Sequence, residues 1–370
     1  MMTRVGVVGG GQLARMMIPA AINLGIDLSV FAESANSSAK LAVTMIGDYT
    51  KWDELEKFAS TVEVITFDHE HVPLEHLEKL RSQGQSVYPP PQALALTHNK
   101  ILMREAFSRL ELPQPLWAVA DNRESLVASV DAVGGLPCVA KLPVGGYDGK
   151  GVRVIDGLDQ VDDWLAQGPV LLEEKVDFVR EIAQLVARTP TGERAAWPCV
   201  ETRQVGGVCS VVIAPATDVS AENTTTAAHL AHVIATEFDV VGILAVEIFE
   251  CPDGQLLINE LAVRPHNSGH VFTELSVTSQ FEQHLRAVSG YPLGATDFIC
   301  AVGVMVNIFG EVNPVRAKAA AQQYPQVKIH SYQKPARPGR KAGHLVVVGD
   351  DANAALGAAL DVKAILEHSQ

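Results

Sequence analysis

The segment LAVEIFECPDGQLLINELAVR, residues 244–264, restricts what this chain can fold into more than any other stretch. Two apolar runs flank Asp253-Gly254, a dipeptide that favours a tight hairpin turn. The segment is therefore expected to form two antiparallel strands. With a two-residue loop, residue 252 faces 255, and by the same count Glu247 faces Glu260. A four-residue loop over 251–254 moves the partner of Glu247 to Ile258 but keeps both glutamates on one face. Opposed carboxylates destabilise a sheet by roughly 0.2–1 kcal/mol. A divalent cation reverses that sign, and Cβ atoms about 5 Å apart suit one or two Mg²⁺ ions shared with nucleotide phosphates. Two solvated glutamates on an edge hairpin are the plainer alternative. The apolar neighbours on that face, Ala245, Phe249 and Ile258, argue against it.

A second segment, KLPVGGYDGKGV at 141–152, carries glycines at 145, 146, 149 and 151. It is not a P-loop, because Lys150 is followed by Gly151 and then by VRVID, which reads as a strand. PCVAK at 137–141 reads as the strand before it. The loop is thus a hairpin flap. A plain turn needs one or two glycines; four let a backbone approach an anion closely and aim its N–H groups at it.

Other stretches add handles. GVVGGGQLARM at 6–16, followed by Glu33 at the end of the next strand, imitates a dinucleotide fingerprint: Gly9, Gly11 and Ala14 shape the turn and Glu33 takes a ribose hydroxyl. Mere helix-on-strand packing, or the phosphate or ribose of another ligand, fits as well. LLEEKVDFVREIAQLV at 171–186 reads as strand, acidic linker and strand. Its linker is able to offer backbone groups to an adenine, and Glu181 to accept ribose hydroxyls. RPGRKAGH at 337–344 reads as a dense basic loop in which Arg337, Arg340 and Lys341 are placed to clamp a phosphate. RPHNSGH at 264–270 adds Arg264, His266, Asn267 and His270.

Strand 4–8, helix 12–24 and strand 26–34 open a parallel βαβ sheet, and 62–70 supplies a later strand. YPPPQAL at 88–94 marks a boundary, after which a helix is expected from Thr97. GYPLG marks the next edge, and the last segment ends in strand 344–349 and a helix. The length of 370 residues allows two or three domains. The net charge of −14 argues against a nucleic-acid or membrane surface, so an anionic ligand must be met by local basic groups. Five scattered cysteines without a CxxC pair point to a reducing compartment, with neither a disulfide framework nor a zinc site. The N-terminal run is broken by glycines, which argues against a signal peptide, and a cytoplasmic protein is expected.

GGGQLARM, GGYDGKG, INELAVRPHNSGH and RPGRKAGHL occur in this order from end to end. Together they resemble the N5-carboxyaminoimidazole ribonucleotide synthetases, ATP-grasp enzymes of purine biosynthesis; the last three motifs are specific. The resemblance implies an α/β ATP-grasp architecture. An N-terminal Rossmann-like parallel-sheet domain spans 1–96, a central ATP-grasp domain 97–293 with its flap at 145–151, and a small C-terminal domain 294–370. It implies ATP, Mg²⁺ (with Mn²⁺ as a substitute), bicarbonate, 5-aminoimidazole ribonucleotide as acceptor, carboxyphosphate as intermediate, and a homodimer.

The resemblance also assigns roles. Lys100 and Lys141 touch ATP phosphates under a flap that includes Gly146, Gly149 and Gly151. Glu173, Glu174 and Val176 belong to the adenine linker, Glu181 meets the ribose, and Glu247 and Glu260 hold the metal beside Asn259. Tyr147, Asp148 and Lys150 face the acceptor and carboxyphosphate. Arg264, Arg340 and Lys341 hold the nucleotide phosphate or bicarbonate, with His266 nearby. Gly11, Gln12 and Glu70 line the acceptor site. Departures from the family pattern are Asp68 and His71 in DHEHVP, Val263 in place of proline, and Gln204 at an ATP-contacting position that can be histidine in the family. The rival readings are an ATP-grasp ligase with another acceptor, an NAD(P)-dependent oxidoreductase built on GGGQLA and Glu33, and a nucleotide sensor without turnover.

Overall fold

A computed structural model describes residues 3–146 and 151–367 of the chain. Tyr147, Asp148, Gly149 and Lys150 lie outside the described residues. The first sheet is parallel and holds β1 (Arg4–Val8), β2 (Asp27–Ala32), β3 (Val43–Ile46), β4 (Val64–Phe67) and β5 (Ser86–Val87) in the order β3-β2-β1-β4-β5. Its central strands are continuous apolar runs because both faces are covered; Val5, Val7 and Val8 are fully buried. Glu33 follows β2 rather than ending it.

The second sheet is antiparallel: β6 (Trp117–Ala120), β7 (Cys138–Lys141), β8 (Val152–Ile155) and β9 (Val170–Glu174), ordered β6-β9-β7-β8. β7 and β8 are the expected hairpin, with Lys141 opposite Val152 at the mouth of the flap. Gly145 and Gly151 have φ values of 83° and 74°, a region that favours glycine.

The third sheet contains β10 (Arg180–Arg188), β11 (Arg194–Ala196), β12 (Val200–Val205), β13 (Val208–Ala214), β14 (Gly242–Glu250), β15 (Leu256–Ala262), β16 (Val302–Gly310), β17 (Lys328–Ser331) and β18 (Arg337–Gly349). Its path runs β15-β14-β10-β12-β13-β16-β18-β17, with β11 beside β10. The C-terminal strands thus extend the sheet that carries the glutamate hairpin. Residues 337–344, expected to be a loop, are instead the first half of β18. The glycines at 339 and 343 and the basic side chains hid a strand whose register against β16 is interrupted twice. The linker between β9 and β10 joins the second sheet to the third.

The helix expected from Thr97 is two helices, Pro91–His98 and Lys100–Arg109. Pro91 starts the first, as its fixed φ allows. Asn99 leaves helical geometry and caps the second, its Oδ1 accepting the Ile101 N–H at 2.9 Å.

The β14–β15 loop is neither of the two lengths expected. The Cys251 N–H donates to the Gln255 carbonyl and the Gly254 N–H to the Cys251 carbonyl, both at 2.9 Å, so three residues make the turn. Gly254 takes φ 86°, the usual close of such a loop. This turn pairs Phe249 with Leu257 and Ile248 with Ile258, a register that by itself sets Glu247 against Asn259. A bulge at Asn259 inserts the extra residue, and Glu247 then faces Glu260.

Candidate active site

The face of the third sheet at β10, β14 and β15 gathers acidic groups. Glu181 pairs with Phe249 and Ala183 with Glu247, so Glu181, Glu247 and Glu260 share one side. Burial, Glu260 and Glu181 push the Glu247 carboxyl up to about 8. His266 Nε2 lies 3.3 Å from Glu247 Oε1, and its Nδ1 is 2.8 Å from the Ser268 hydroxyl. Glu181 is raised by burial and hydrogen-bonded by Gln204, the position that departs from the family pattern.

Opposite this floor stand Lys100 and Lys141. Lys100 starts its helix and donates to the Gly146 carbonyl at 3.1 Å, tying the helix N-terminus to the flap. Lys141 ends β7 and donates to Asn259 Oδ1 at 3.1 Å. Each ammonium is 3.9 Å from Glu260 Oε1. The cluster is held from behind by Arg104 and Glu173. Glu173 accepts from Lys141 and Arg104 at 2.8 Å each, and its side chain is 3% exposed. Despite that burial, the two cations hold its carboxyl down at about 2. The resemblance places Glu173 at the start of the adenine linker; its side chain is committed to this buried triad, which leaves its backbone for that role. Glu174 Oε1 accepts the Leu116 N–H at 2.8 Å, so its side chain is engaged too. Val176 lies in the segment between β9 and β10.

Arg104 was not singled out from sequence. It is fully buried, and its guanidinium reaches Glu173 Oε1 and the carbonyls of Ile258 and Asn259 at 2.8–2.9 Å. The available signal was an arginine on the apolar face of the helix beside Met103 and Phe107.

A second group lies where the first sheet meets the third. Glu70 and Arg264, expected separately, form a two-pronged pair: Arg264 Nε is 2.8 Å from Oε1 and NH2 3.2 Å from Oε2. Gln12 accepts from Lys334, which sequence reading did not name. A Cβ on Gly11 would meet Asp68 Oδ2 at 1.9 Å, so only glycine fits there. Asp68 Oδ1 accepts the Ala14 N–H at 2.8 Å. A carboxylate thus occupies the helix N-terminus where a dinucleotide pyrophosphate needs donors, which overturns the NAD(P) reading. Glu33 is engaged by His69, 3.6 Å away. Lys341 pairs with Phe309 on β16, and its charge acts to lower Glu247. Arg340 precedes it on β18 and is half-buried.

The donor set of the floor suits a hard cation: two facing carboxylates, one of which burial and its acidic neighbours push up to about 8. Among the described residues no cluster of three or more His, Cys, Asp or Glu is arranged to hold a metal alone. Among the described residues no helix is long and apolar enough to cross a membrane.

Three family models match in succession: a ribonucleotide synthetase preATP-grasp domain over 2–98, an ATP-grasp domain over 105–281, and a phosphoribosylaminoimidazole carboxylase C-terminal domain over 303–357. With the sheets and the lysine–glutamate cleft above, they define an ATP-grasp ligase. The chain is 46% identical over 363 residues to the N5-carboxyaminoimidazole ribonucleotide synthase of Mycobacterium bovis, covering 94% of this chain and 84% of that protein. The enzyme of the same name from Corynebacterium ammoniagenes is 42% identical over 366 residues, with 95% and 88% covered. The crystal structure of the Thermus thermophilus synthetase has a TM-score of 0.90 at 33% identity, with 99% of both chains covered. That of the Aspergillus clavatus enzyme in complex with ADP and 5-aminoimidazole ribonucleotide has a TM-score of 0.89 at 29% identity, again with 99% of both covered. The chain belongs to the N5-carboxyaminoimidazole ribonucleotide synthase family.

Proposed function

We propose that this chain uses ATP to join bicarbonate to the exocyclic amine of 5-aminoimidazole ribonucleotide, and that the cleft of Lys100, Lys141, Glu247 and Glu260 is where ATP reacts. The observation that carries this is the facing glutamate pair beside two buried lysines in a chain of this family. A bicarbonate oxygen attacks the γ-phosphorus and ADP leaves; the carboxyphosphate formed gives its carboxyl carbon to the amine nitrogen, which loses a proton, and phosphate departs. Mg²⁺ bound by Glu247 and Glu260 would neutralise phosphate charge. Lys100 and Lys141 point their ammonium groups at the same place, and positioning with charge neutralisation is most of what phosphoryl transfer requires.

The linker around Val176 is proposed for the adenine and Glu181 for the ribose. Gly11, Gln12 and the Glu70–Arg264 pair are proposed for the acceptor, with His266, Arg340 and Lys341 holding its phosphate or bicarbonate. Roles for Tyr147, Asp148, Gly149 and Lys150 rest on the sequence resemblance alone: closing the flap over a water-sensitive intermediate. A homodimer is proposed on the same ground, and sedimentation tests it; a cytoplasmic location is proposed from the scattered, unpaired cysteines. The deciding experiment measures ADP and phosphate release in bicarbonate buffer with and without 5-aminoimidazole ribonucleotide. ADP formation that ignores this acceptor but responds to another amine sinks the proposal.

Two further outcomes are expected. Lys341→Ala should raise the acceptor KM about ten- to a hundredfold, since a hydrogen bond to a charged group contributes roughly 1.5–3 kcal/mol. The ATP KM should change little; an effect confined to ATP would place β18 at the wrong ligand. Proton release gives the second outcome. With its carboxyl raised to about 8, Glu247 is protonated at pH 7 in the metal-free protein and must ionise to hold a cation. Mg²⁺–ADP binding at pH 7 should therefore expel about one proton and tighten as pH rises from 6 to 8. Calorimetry in buffers of different ionisation enthalpy measures this, and binding without proton release contradicts it.

A further inference from the structure

We propose that Arg104 is a positioning residue that fixes the register of the metal-binding hairpin. The inference rests on reading Glu247 and Glu260 as the metal pair. The turn alone aligns Ile248 with Ile258, and without an added residue Glu247 would oppose Asn259. Glu260 would then share the face of Val246, which is fully buried in the core. The bulge at Asn259 is what returns Glu260 to the cleft.

A bulge on an edge strand leaves carbonyls without ladder partners. Here both are taken by one group: Arg104 NH1 donates to the Ile258 carbonyl at 2.8 Å and NH2 to the Asn259 carbonyl at 2.9 Å. The Ile258 N–H is anchored on the same outer edge by the Pro113 carbonyl at 2.9 Å. The third arm of the guanidinium, Nε, reaches Glu173, which holds Lys141, and Lys141 returns to the Asn259 side chain. One planar, fully buried cation therefore sets three things together: the extra residue, the direction of Glu260 and the position of Lys141. Lysine has a single point of donation and cannot span two carbonyls and a carboxylate.

The test compares the binding of ADP with Mn²⁺ and ADP with a chelator, by calorimetry, in the wild type and in Arg104→Lys. The Mn²⁺-dependent gain in affinity should fall about ten- to a hundredfold, the usual effect of losing a group that orients metal ligands. ADP alone should weaken by less than this, through the displaced Lys141, and the acceptor KM should hold. The readout is a ratio of affinities from one sample, so a reduced folded fraction does not alter it. Arg104→Met, which keeps the unbranched apolar stem, serves where lysine does not fold, with the same result expected. A variant that melts earlier but keeps the full Mn²⁺ gain overturns the inference, leaving Arg104 a packing residue. A wild type with no Mn²⁺ gain overturns the metal reading itself, and this inference with it.

Discussion

Glu260→Gln should abolish ATP-dependent carboxylation at saturating Mg²⁺ while leaving the metal-free protein about as stable as wild type. The two halves of this result have different causes. Turnover is lost because a neutral amide cannot replace one of two facing carboxylates as ligand to a hard cation. Stability is held by opposing changes. Removing the charge lowers the cost of ionising Glu247, whose carboxyl burial and Glu260 push up to about 8. It also removes attraction to Lys100 and Lys141, each 3.9 Å away. The side chain is 36% exposed, so each of these effects is of the size found for surface ion pairs, about 1 kcal/mol or less. They act in opposite directions, and the melting temperature should stay within a few degrees. Steady-state ADP release and thermal denaturation in the presence of a chelator measure the two halves. Full activity at ordinary Mg²⁺ would remove Glu260 from the metal site, and a collapse in melting temperature would make it a structural residue.

The site was legible in sequence where side-chain period and motif spacing carried it, and illegible where long-range packing did. The two- and four-residue turns read from sequence both placed the hairpin glutamates on one face; the three-residue turn reverses that placement and the bulge at Asn259 restores it. The turn length could not be read, because Asp253-Gly254 suits a three-residue loop as well as a two-residue one, and the bulge depends on a guanidinium about 150 residues away in sequence. The same distance hid the side-chain partners of Glu173, which the resemblance puts in the adenine linker and which Arg104 and Lys141 flank. Residues 337–344 read as a loop from their glycines and charges, yet the partner strand β16 draws them into the sheet. The first βαβ unit was legible nearly to the residue, since a continuous apolar strand, a glycine turn and an amphipathic helix are all local signals. What local signals did not reveal is that Asp68 fills the turn at Gly11.

Glu173→Gln is the second large effect, and it is one of stability. The wild-type triad buries two cations and one anion: Arg104 is 0%, Lys141 6% and Glu173 3% exposed at the side chain. The substitution keeps shape and leaves two buried positive charges with a neutral amide between them. Removing one partner of a buried ion pair typically costs about 3–5 kcal/mol. The pH dependence gives an independent measure. The Glu173 carboxyl lies at about 2 in the folded protein against an ordinary 4.5. A lowered carboxyl contributes stability that is complete above its unfolded value and is lost as pH falls toward the folded value. A shift of this size corresponds to about 3 kcal/mol, in line with the cost of substitution. The stability gap between wild type and Glu173→Gln should therefore be full at pH 7 and narrow by roughly 1 kcal/mol by pH 3.5. Urea unfolding at both pH values measures it. The catalytic consequence should follow Lys141: the ATP KM rises while the acceptor KM holds, because the ammonium loses the carboxylate that aims it. A variant as stable as wild type at pH 7, or a gap that does not narrow on acidification, would mean that the triad is not the charged cluster its geometry describes.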